Sequence, residues 1–237
     1  MKKRKKLGVI GGMGPMATAH FLGLLTKMTF ARKDQDHIEV FVHSCPAIPD
    51  RTRFIVGQSF ENPAFQLVKS AKMLIDIGAE VLVIPCFTAH YFLKNIRKEI
   101  NETIPVIDAV EETVASLIAA GISTAGIFAT DGMIECGLYQ ERLESAGITA
   151  AVPTRAIQRQ VMSLIYKQIK KGKTVTATEL DRIAEPLFAN GTEAVLLGCS
   201  ELSLIDRGES VLTYVDALEV LAQSTVKMCG TLRKEYQ

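Results

Sequence analysis

The sequence has almost no net charge. Its 27 Lys and Arg residues against 26 Asp and Glu residues leave a formal charge of +1 at pH 7. So small an excess creates no broad electrostatic field, and we therefore expect neither nucleic acid nor an anionic membrane as a partner. The one basic run, Lys2–Lys6, is most simply a solvated N-terminal tail.

Long apolar runs are also lacking. No segment approaches the roughly 20 unbroken apolar residues that a membrane span needs. The apolar stretch after the basic tail is interrupted by Gly11, Gly12, Gly14, Pro15 and His20, which argues against a signal peptide. We therefore predict a cytoplasmic protein. Its 237 residues, 48% of them hydrophobic, suffice for one large or two small domains with a buried core.

Paired cysteines are missing. The cysteines are odd in number, far apart and form no C-x-x-C motif, which argues against a disulfide framework and against the common zinc spacings. In a reducing cytosol we expect free thiols, either buried and inert or activated for chemistry, and no metal site. The five are Cys45, Cys86, Cys136, Cys199 and Cys229.

Short β-branched runs alternate with segments of helical length. This alternation predicts βαβ units, and hence an α/β fold with parallel sheets covered on both faces. The predicted strands are 7–10, 40–42, 81–84, 105–107, 126–128 and 194–197, and helices are predicted at 62–77, 91–101, 111–120 and 179–189.

An internal repeat relates the two halves of the chain. The segment from Leu67 to Cys86 aligns without a gap onto Leu180 to Cys199, each copy being a helix, a glycine, a hydrophobic strand and a cysteine. A second echo pairs Gly8–Gly14 with Gly126–Gly132 at nearly the same offset. Two βα units can resemble each other by chance, but the coincidence of both cysteines favours two homologous α/β halves.

The boundary between the halves is not marked by a Pro-, Gly- or Ser-rich linker. We place it near Pro105, so that the N-terminal domain comprises residues 1–105 plus 214–237 and the C-terminal domain residues 106–213. Residues 215–235 show helical periodicity and are expected to return to the first half.

Each repeated cysteine follows a predicted buried strand. Because ligands of open parallel sheets bind at the carboxyl ends of the strands, Cys86 and Cys199 are expected to converge on one cleft. Thr88 and Ser200 are suitable N-caps, and a position at a helix N-terminus lowers a thiol's pKa. A thiolate on one face of a carbon and a thiol on the other could invert that carbon by general acid–base catalysis. Two inert, buried cysteines are the alternative.

Five segments carry a resemblance to a known family, in that family's order and across most of the chain. They resemble the motifs of the aspartate/glutamate racemases, which are cofactor-independent amino-acid racemases. The segments are 11–18, 48–52, 85–90, 129–134 and 197–202.

The resemblance implies a fold, a reaction and a set of site residues. It implies two pseudo-symmetric three-layer α/β domains, each with a four-stranded parallel sheet, assembled as a homodimer without pyridoxal phosphate or metal. It implies two-base racemisation at Cα by Cys86 and Cys199. Arg51 and Lys170 match residues that meet substrate carboxylates. The groups that hold the amino-acid head are implied to be the backbone at Met13 and the side chains of Thr88, Thr130 and Ser200.

Three positions depart from the family pattern. Phe87 and Met133, at substrate-contact positions, and Cys45 stand where the family usually has more polar residues. The substrate is therefore aspartate, glutamate or another, less polar or bulkier, amino acid. A carboxylate-binding protein without activity is the alternative from another class.

Other interpretations are weaker. Gly12–Ala17 matches a G-x-G-x-x-A dinucleotide motif, but the second predicted strand is followed by His43–Cys45 rather than by the expected acidic residue. Arg51 could form a surface pair with Asp50. Lys170 could simply complement a helix end, and His90, four residues past Cys86, could tune that thiol or satisfy a core contact.

Overall fold

Two parallel sheets organise the computed structural model, which describes residues 4–101, 104–208 and 210–236. Strand order is β2-β1-β3 in the first sheet and β5-β4-β6-β7 in the second, so that β1, β2 and β3 correspond to β4, β5 and β6. This shared order confirms the two similar halves. The strands are β1 Leu7–Gly11, β2 Val40–Ser44, β3 Val81–Val83, β4 Thr124–Phe128, β5 Thr149–Ala151, β6 Ala194–Leu197 and β7 Tyr214–Asp216.

The fourth strand expected in the first half is reduced to one bridge. Val106 pairs in parallel with Leu82, at the place where β7 lies in the second half. Pro105 has no N–H for a ladder, so the parallel pairing does not extend beyond Val106 on that side.

The predicted helices are present with small shifts of their ends. β7 and β5 were missed, and Val215, predicted as helical, lies in β7, whereas the helix after it begins at Ala217. The helices are α1 Pro15–Met28, α2 Arg51–Ile55, α3 Ala64–Asp76, α4 Leu93–Glu99, α5 Ala109–Ala119, α6 Asp131–Glu135, α7 Leu138–Ser145, α8 Arg155–Met162, α9 Ala177–Phe188 and α10 Ala217–Cys229.

A common core joins the halves. Buried residues of β1 and β4 belong to one cluster with α1, α5 and α10, and α10 packs against both α1 and α5. The outer faces of the sheets pack against α3 and α4 in the first half and against α8 and α9 in the second. The division of the chain at 105 and 214 stays a prediction. Within the described residues, no helix combines the length and apolarity needed to cross a bilayer.

Candidate active site

Both repeated cysteines line one small cavity between the halves. Cys86 follows β3, Cys199 follows β6, and each is only 6% exposed. The parallel sheets bring these two strand ends together as expected for an α/β fold. The other residues that line the cavity are Met13, Arg51, Thr52, Phe87, Thr88, Thr130, Tyr166, Lys170, Ser200 and Glu201.

The turn after β1 and a hydrogen bond between the halves shape the surroundings of the cysteines. Gly12 has a φ of +91°, and a Cβ there would lie 2.4 Å from the backbone nitrogen of Cys45, so glycine is needed for this turn. Thr88 Oγ1 and Thr130 Oγ1 lie 2.9 Å apart and share a buried hydrogen bond. This bond links the segment after Cys86 to the second half.

The prediction that Thr88 and Ser200 are helix N-caps is wrong. A 3₁₀ turn, Phe87–Phe92, follows Cys86, which itself occupies the N-cap position, and another, Leu202–Leu204, begins after Glu201. Neither turn has a side-chain cap, because Thr88 bonds to Thr130 and the Ser200 hydroxyl lies 3.5 Å from Glu201 Oε2. Short turns of this kind also lack the long dipole assumed in the prediction.

His90 supports the backbone of Cys86 rather than its sulfur. Its Nε2 accepts from the Ala109 N–H at 3.1 Å, so Nδ1 carries the proton and donates to the Cys86 carbonyl at 3.2 Å. Burial lowers the pKa of His90. The ring is therefore neutral, and of the two interpretations offered above the structure supports a contact within the core.

Arg51 is held by backbone carbonyls at the wall of the cavity. Its Nη1 donates to Pro49 O at 3.0 Å and Ile48 O at 3.3 Å, and its Nη2 donates to Met13 O at 3.2 Å. Among the described residues, its buried Nε has no hydrogen-bond partner. A guanidinium has five N–H groups, so these carbonyls leave Nε–H and one Nη2 hydrogen for other acceptors, of which the Cys86 sulfur is one and a substrate carboxylate could be another.

The charge of Arg51 is secured by its neighbours. Burial alone lowers the pKa of Arg51, but attraction to Cys86 and Asp50 outweighs burial and raises it overall. Arg51 is thus a cation placed beside one of the two thiols.

Cys199, unlike Cys86, lies in contact with a carboxylate. Its Sγ donates to Glu201 Oε2 at 3.0 Å, and Lys170 Nζ pairs with Glu201 Oε1. Burial, followed by the charge of Glu201, raises the pKa of Cys199 well above its ordinary value. The expectation that this thiol is more acidic than usual is wrong, because a buried carboxylate outweighs the short turn that follows the strand.

Lys170 keeps its charge through Glu201. Burial lowers the pKa of Lys170, but Glu201 and then Cys199 raise it by more, so that the net shift is upward. An added Cβ at Gly14 would lie 3.1 Å from Glu201 Oε1 and 3.7 Å from Lys170 Nζ, which places the loop after β1 directly against this ion pair.

A wider pocket of about 590 Å³ opens outside the narrow cavity. The two share Met13, Arg51, Lys170 and Glu201, so these residues form the passage between them. Much of the outer wall is apolar, with Pro15, Met16, Ala17, Pro46, Ile48, Ile169 and Leu204 among its residues. A ligand with its polar head in the cavity would direct its remainder toward this surface.

Tyr166 is a site residue that sequence reasoning missed. It lies in a π-helical turn, Ser163–Gln168, a feature common at functional sites, and its hydroxyl donates to Asp50 Oδ2 at 3.1 Å across the two halves. Burial raises the pKa of Tyr166, which keeps it protonated. Glu201 was also missed, although its place directly after Cys199-Ser200 was a usable signal.

Not every expected contact residue lines these cavities. Phe87 lies in the inner wall, whereas Met133 is fully buried in the common core and Cys45 packs in the core beside the first sheet. Neither Met133 nor Cys45 lines the cavity or the outer pocket as the structure describes them. Among the described residues, no three His, Cys, Asp or Glu side chains are grouped as metal ligands would be. Cys45, Cys86, Cys136 and Cys199 are free thiols.

The fold and the site define a class, an α/β protein of two similar halves with a thiol from each half in one shared cavity. Residues 10–225 match the model of the Asp/Glu/Hydantoin racemase family. The chain therefore belongs to that family.

Known proteins resemble the chain over nearly its whole length. The broad specificity amino-acid racemase RacX of Bacillus subtilis is 24% identical over 93% of this chain and 96% of its own. The aspartate racemase of Picrophilus torridus is 30% identical with a TM-score of 0.82, covering 98% of this chain and 97% of that one. Glutamate racemase of Francisella tularensis, solved with D-glutamate, shares the fold with 19% identity, a TM-score of 0.69, and coverage of 94% and 80%.

Proposed function

We propose that the protein is a cofactor-independent amino-acid racemase that inverts Cα by two-base proton transfer between Cys86 and Cys199. The observation that carries this proposal is the shared cavity, in which one thiol from each half faces the same small space. Racemisation needs a base on one face of the carbon and an acid on the other, and two thiols exchange these roles as the enantiomer changes.

The proton transfers balance as follows. The Cys86 thiolate takes the Cα hydrogen, a C–H bond breaks as an S–H bond forms, and the electron pair passes to Cα and the carboxylate. The Cys199 thiol then protonates the opposite face and becomes the thiolate. The reverse reaction starts from that state. No oxidant or reductant is needed.

Binding of the amino-acid head is assigned to the polar walls of the cavity. The Nε–H and the remaining Nη2 hydrogen of Arg51 would take the α-carboxylate, where the charge of Arg51 also stabilises the negative charge that develops during deprotonation. Thr88, Thr130, Ser200 and the backbone at Met13 complete the head site. Lys170 is the second cation, although Glu201 already pairs with it.

The substrate is aspartate, glutamate or a less polar amino acid, and four observations bear on the choice. The apolar outer pocket and the pairing of Lys170 support a neutral side chain, as does Phe87 in the inner wall. The likeness to the aspartate racemase of Picrophilus torridus supports aspartate. A panel of both enantiomers of acidic, neutral and basic amino acids decides between them, and aspartate as the clear best substrate would refute the less polar alternative.

Solvent-deuterium exchange at Cα tests the mechanism. Wild type should incorporate deuterium and racemise its substrate, whereas Cys86→Ser and Cys199→Ser should each lose racemisation by orders of magnitude. Cys229→Ser, which alters a buried cysteine in the common core, is the matched control and should keep activity. Undiminished racemisation in either site variant would overturn the two-base scheme, and no exchange with any amino acid would favour a binding protein.

We further propose that the enzyme acts as a homodimer in the cytoplasm. The family resemblance supports the dimer, and the free thiols of Cys45, Cys86, Cys136 and Cys199 suit a reducing compartment. Light scattering of the purified protein tests the assembly, and a monomer at micromolar concentration would refute it.

A further inference from the structure

The two thiols of the pair are set in unlike surroundings. In the repeat alignment, the residue two positions after the cysteine is Thr88 in the first half and Glu201 in the second. Thr88 turns away to bond with Thr130, whereas Glu201 turns back onto the sulfur of Cys199. Two halves with the same strand order thus differ at the residue that meets the thiol.

The buried carboxylate of Glu201 accepts hydrogen bonds from neighbouring side chains. Its side chain is 6% exposed, and Oε1 receives the ammonium of Lys170. Oε2 lies 3.0 Å from Cys199 Sγ and 3.5 Å from Ser200 Oγ. An ionised carboxylate only accepts hydrogen bonds, so Cys199 must be the donor and must carry its proton. The ion pair with Lys170 fixes the orientation of the carboxylate.

Among the described residues, no carboxylate pairs with the sulfur of Cys86, which instead has a cation beside it. Arg51 lines the same wall and lies within hydrogen-bond reach of that sulfur. Two tyrosines also lie near Cys199. Burial raises the pKa of each of them, so they stay protonated and add no charge beside the sulfur. The groups that face Cys199 are Glu201, Lys170, Arg51, Cys86, Tyr139 and Tyr166.

We propose that Glu201 is a positioning residue that keeps the proton on Cys199, so that the resting enzyme has Cys86 as its base and Cys199 as its acid. This inference rests on the proposed racemase function and adds which thiol is the base and which is the acid in the resting enzyme. The enantiomer whose Cα hydrogen faces Cys86 meets an enzyme that is ready to react. The other enantiomer must wait until the proton has moved from Cys199 to Cys86.

Alkylation of individual cysteines tests this without any substrate. Wild type, Glu201→Gln and Glu201→Asp are treated with iodoacetamide between about pH 5 and 10, a span that covers ordinary thiol ionisation. The modified peptides of Cys86 and Cys199 are quantified by mass spectrometry. In wild type, Cys86 should react at lower pH than Cys199.

The charge of Glu201 should decide the result. In Glu201→Gln, the midpoint for Cys199 should fall by at least about one pH unit, since a charge in contact shifts ionisation by roughly 1–3 units. The midpoint for Cys86 should stay in place, and Glu201→Asp, which keeps the charge, should resemble wild type. Glu112→Gln is the matched control, because Glu112 receives the hydroxyl of Ser224 at 2.6 Å between α5 and α10, away from both cavities.

Kinetics supply a second measurement. The alkaline limb of the pH profile of kcat/KM reports ionisation of the acid in the free enzyme and should move to lower pH in Glu201→Gln. It should move equally for both enantiomers, since the equilibrium constant of racemisation is one and ties the two kcat/KM values together. A merely structural role would lower activity without moving this limb.

Three outcomes would overturn the proposal. The first is a pH midpoint for alkylation of Cys199 that is unchanged in Glu201→Gln. The second is a midpoint for Cys199 that moves equally in Glu112→Gln. The third is alkylation of Cys199 in wild type at a lower pH than alkylation of Cys86. Failure of the racemase function has a different result. In that case the alkylation profile shifts as expected, but no amino acid exchanges its Cα hydrogen.

Discussion

Replacing Gly132 by alanine tests how closely the two halves approach beside the site. Gly132 is buried in α6, and a Cβ there would lie 2.8 Å from Thr52 Cα in α2. Carbon atoms prefer about 3.5–4.0 Å, so the helices must separate by roughly 0.5 Å or more. The obstacle is backbone, which cannot rotate aside as a side chain can.

The magnitude follows from two opposing effects. Alanine stabilises a helix by about 0.8–1.0 kcal/mol relative to glycine. Overpacking costs about 1–3 kcal/mol, so Gly132→Ala should lower the free energy of unfolding by up to about 2 kcal/mol. Gly23 lies exposed in α1, where an added methyl meets no atom within 4 Å, so Gly23→Ala should raise that free energy.

Urea unfolding followed by circular dichroism measures both variants, and their difference isolates the clash at about 1–3 kcal/mol. Because Thr52 follows Arg51, the shift should also lower kcat/KM of Gly132→Ala on the order of ten-fold or more. Gly23→Ala should keep wild-type activity. The inferred close approach of α6 and α2 would be refuted if Gly132→Ala were as stable as Gly23→Ala and fully active.

Two other predictions concern buried polar groups near Cys86. The folded-state pKa of His90 lies below its ordinary 6.5, so the unfolded chain binds the proton first and stability is lost as pH falls below 6.5. His90→Gln, which can keep one donor and one acceptor, should flatten this dependence of the urea midpoint, and an unchanged slope would contradict the assignment. Thr88→Val should cost about 1–3 kcal/mol because the buried Thr130 hydroxyl loses its partner Thr88 and keeps only the Met133 N–H. The double variant Thr88→Val/Thr130→Val should cost less than the sum of the single variants, and strict additivity would show that the 2.9 Å contact contributes nothing.

Much of the fold could be predicted because its signals are local. Alternating β-branched runs and helical periods specify βαβ units, and the repeat around Cys86 and Cys199 specifies two halves of one design. β5 and β7 could not be predicted in this way. Each is three residues long, which is too short to show a period of two, and β7 runs directly into the cap of α10.

The candidate site was predictable only in part. Cys86, Arg51 and Lys170 lie where the motifs placed them, at the cavity wall. Tyr166 was missed because its partner, Asp50, is distant in sequence and meets it only when the halves pack. Met133 belongs to the motif at 129–134, but its side chain is buried in the core because the turn of α6 directs it inward.

The sequence by itself determined that this protein has two related α/β halves and that a cysteine ends one strand in each, because periodicity and repetition are properties of neighbouring residues. The charged groups around those cysteines were decided by the tertiary structure. Ionisation depends on burial and on charges within a few ångströms. Only the folded chain brings Arg51 to one sulfur and the paired Glu201 and Lys170 to the other.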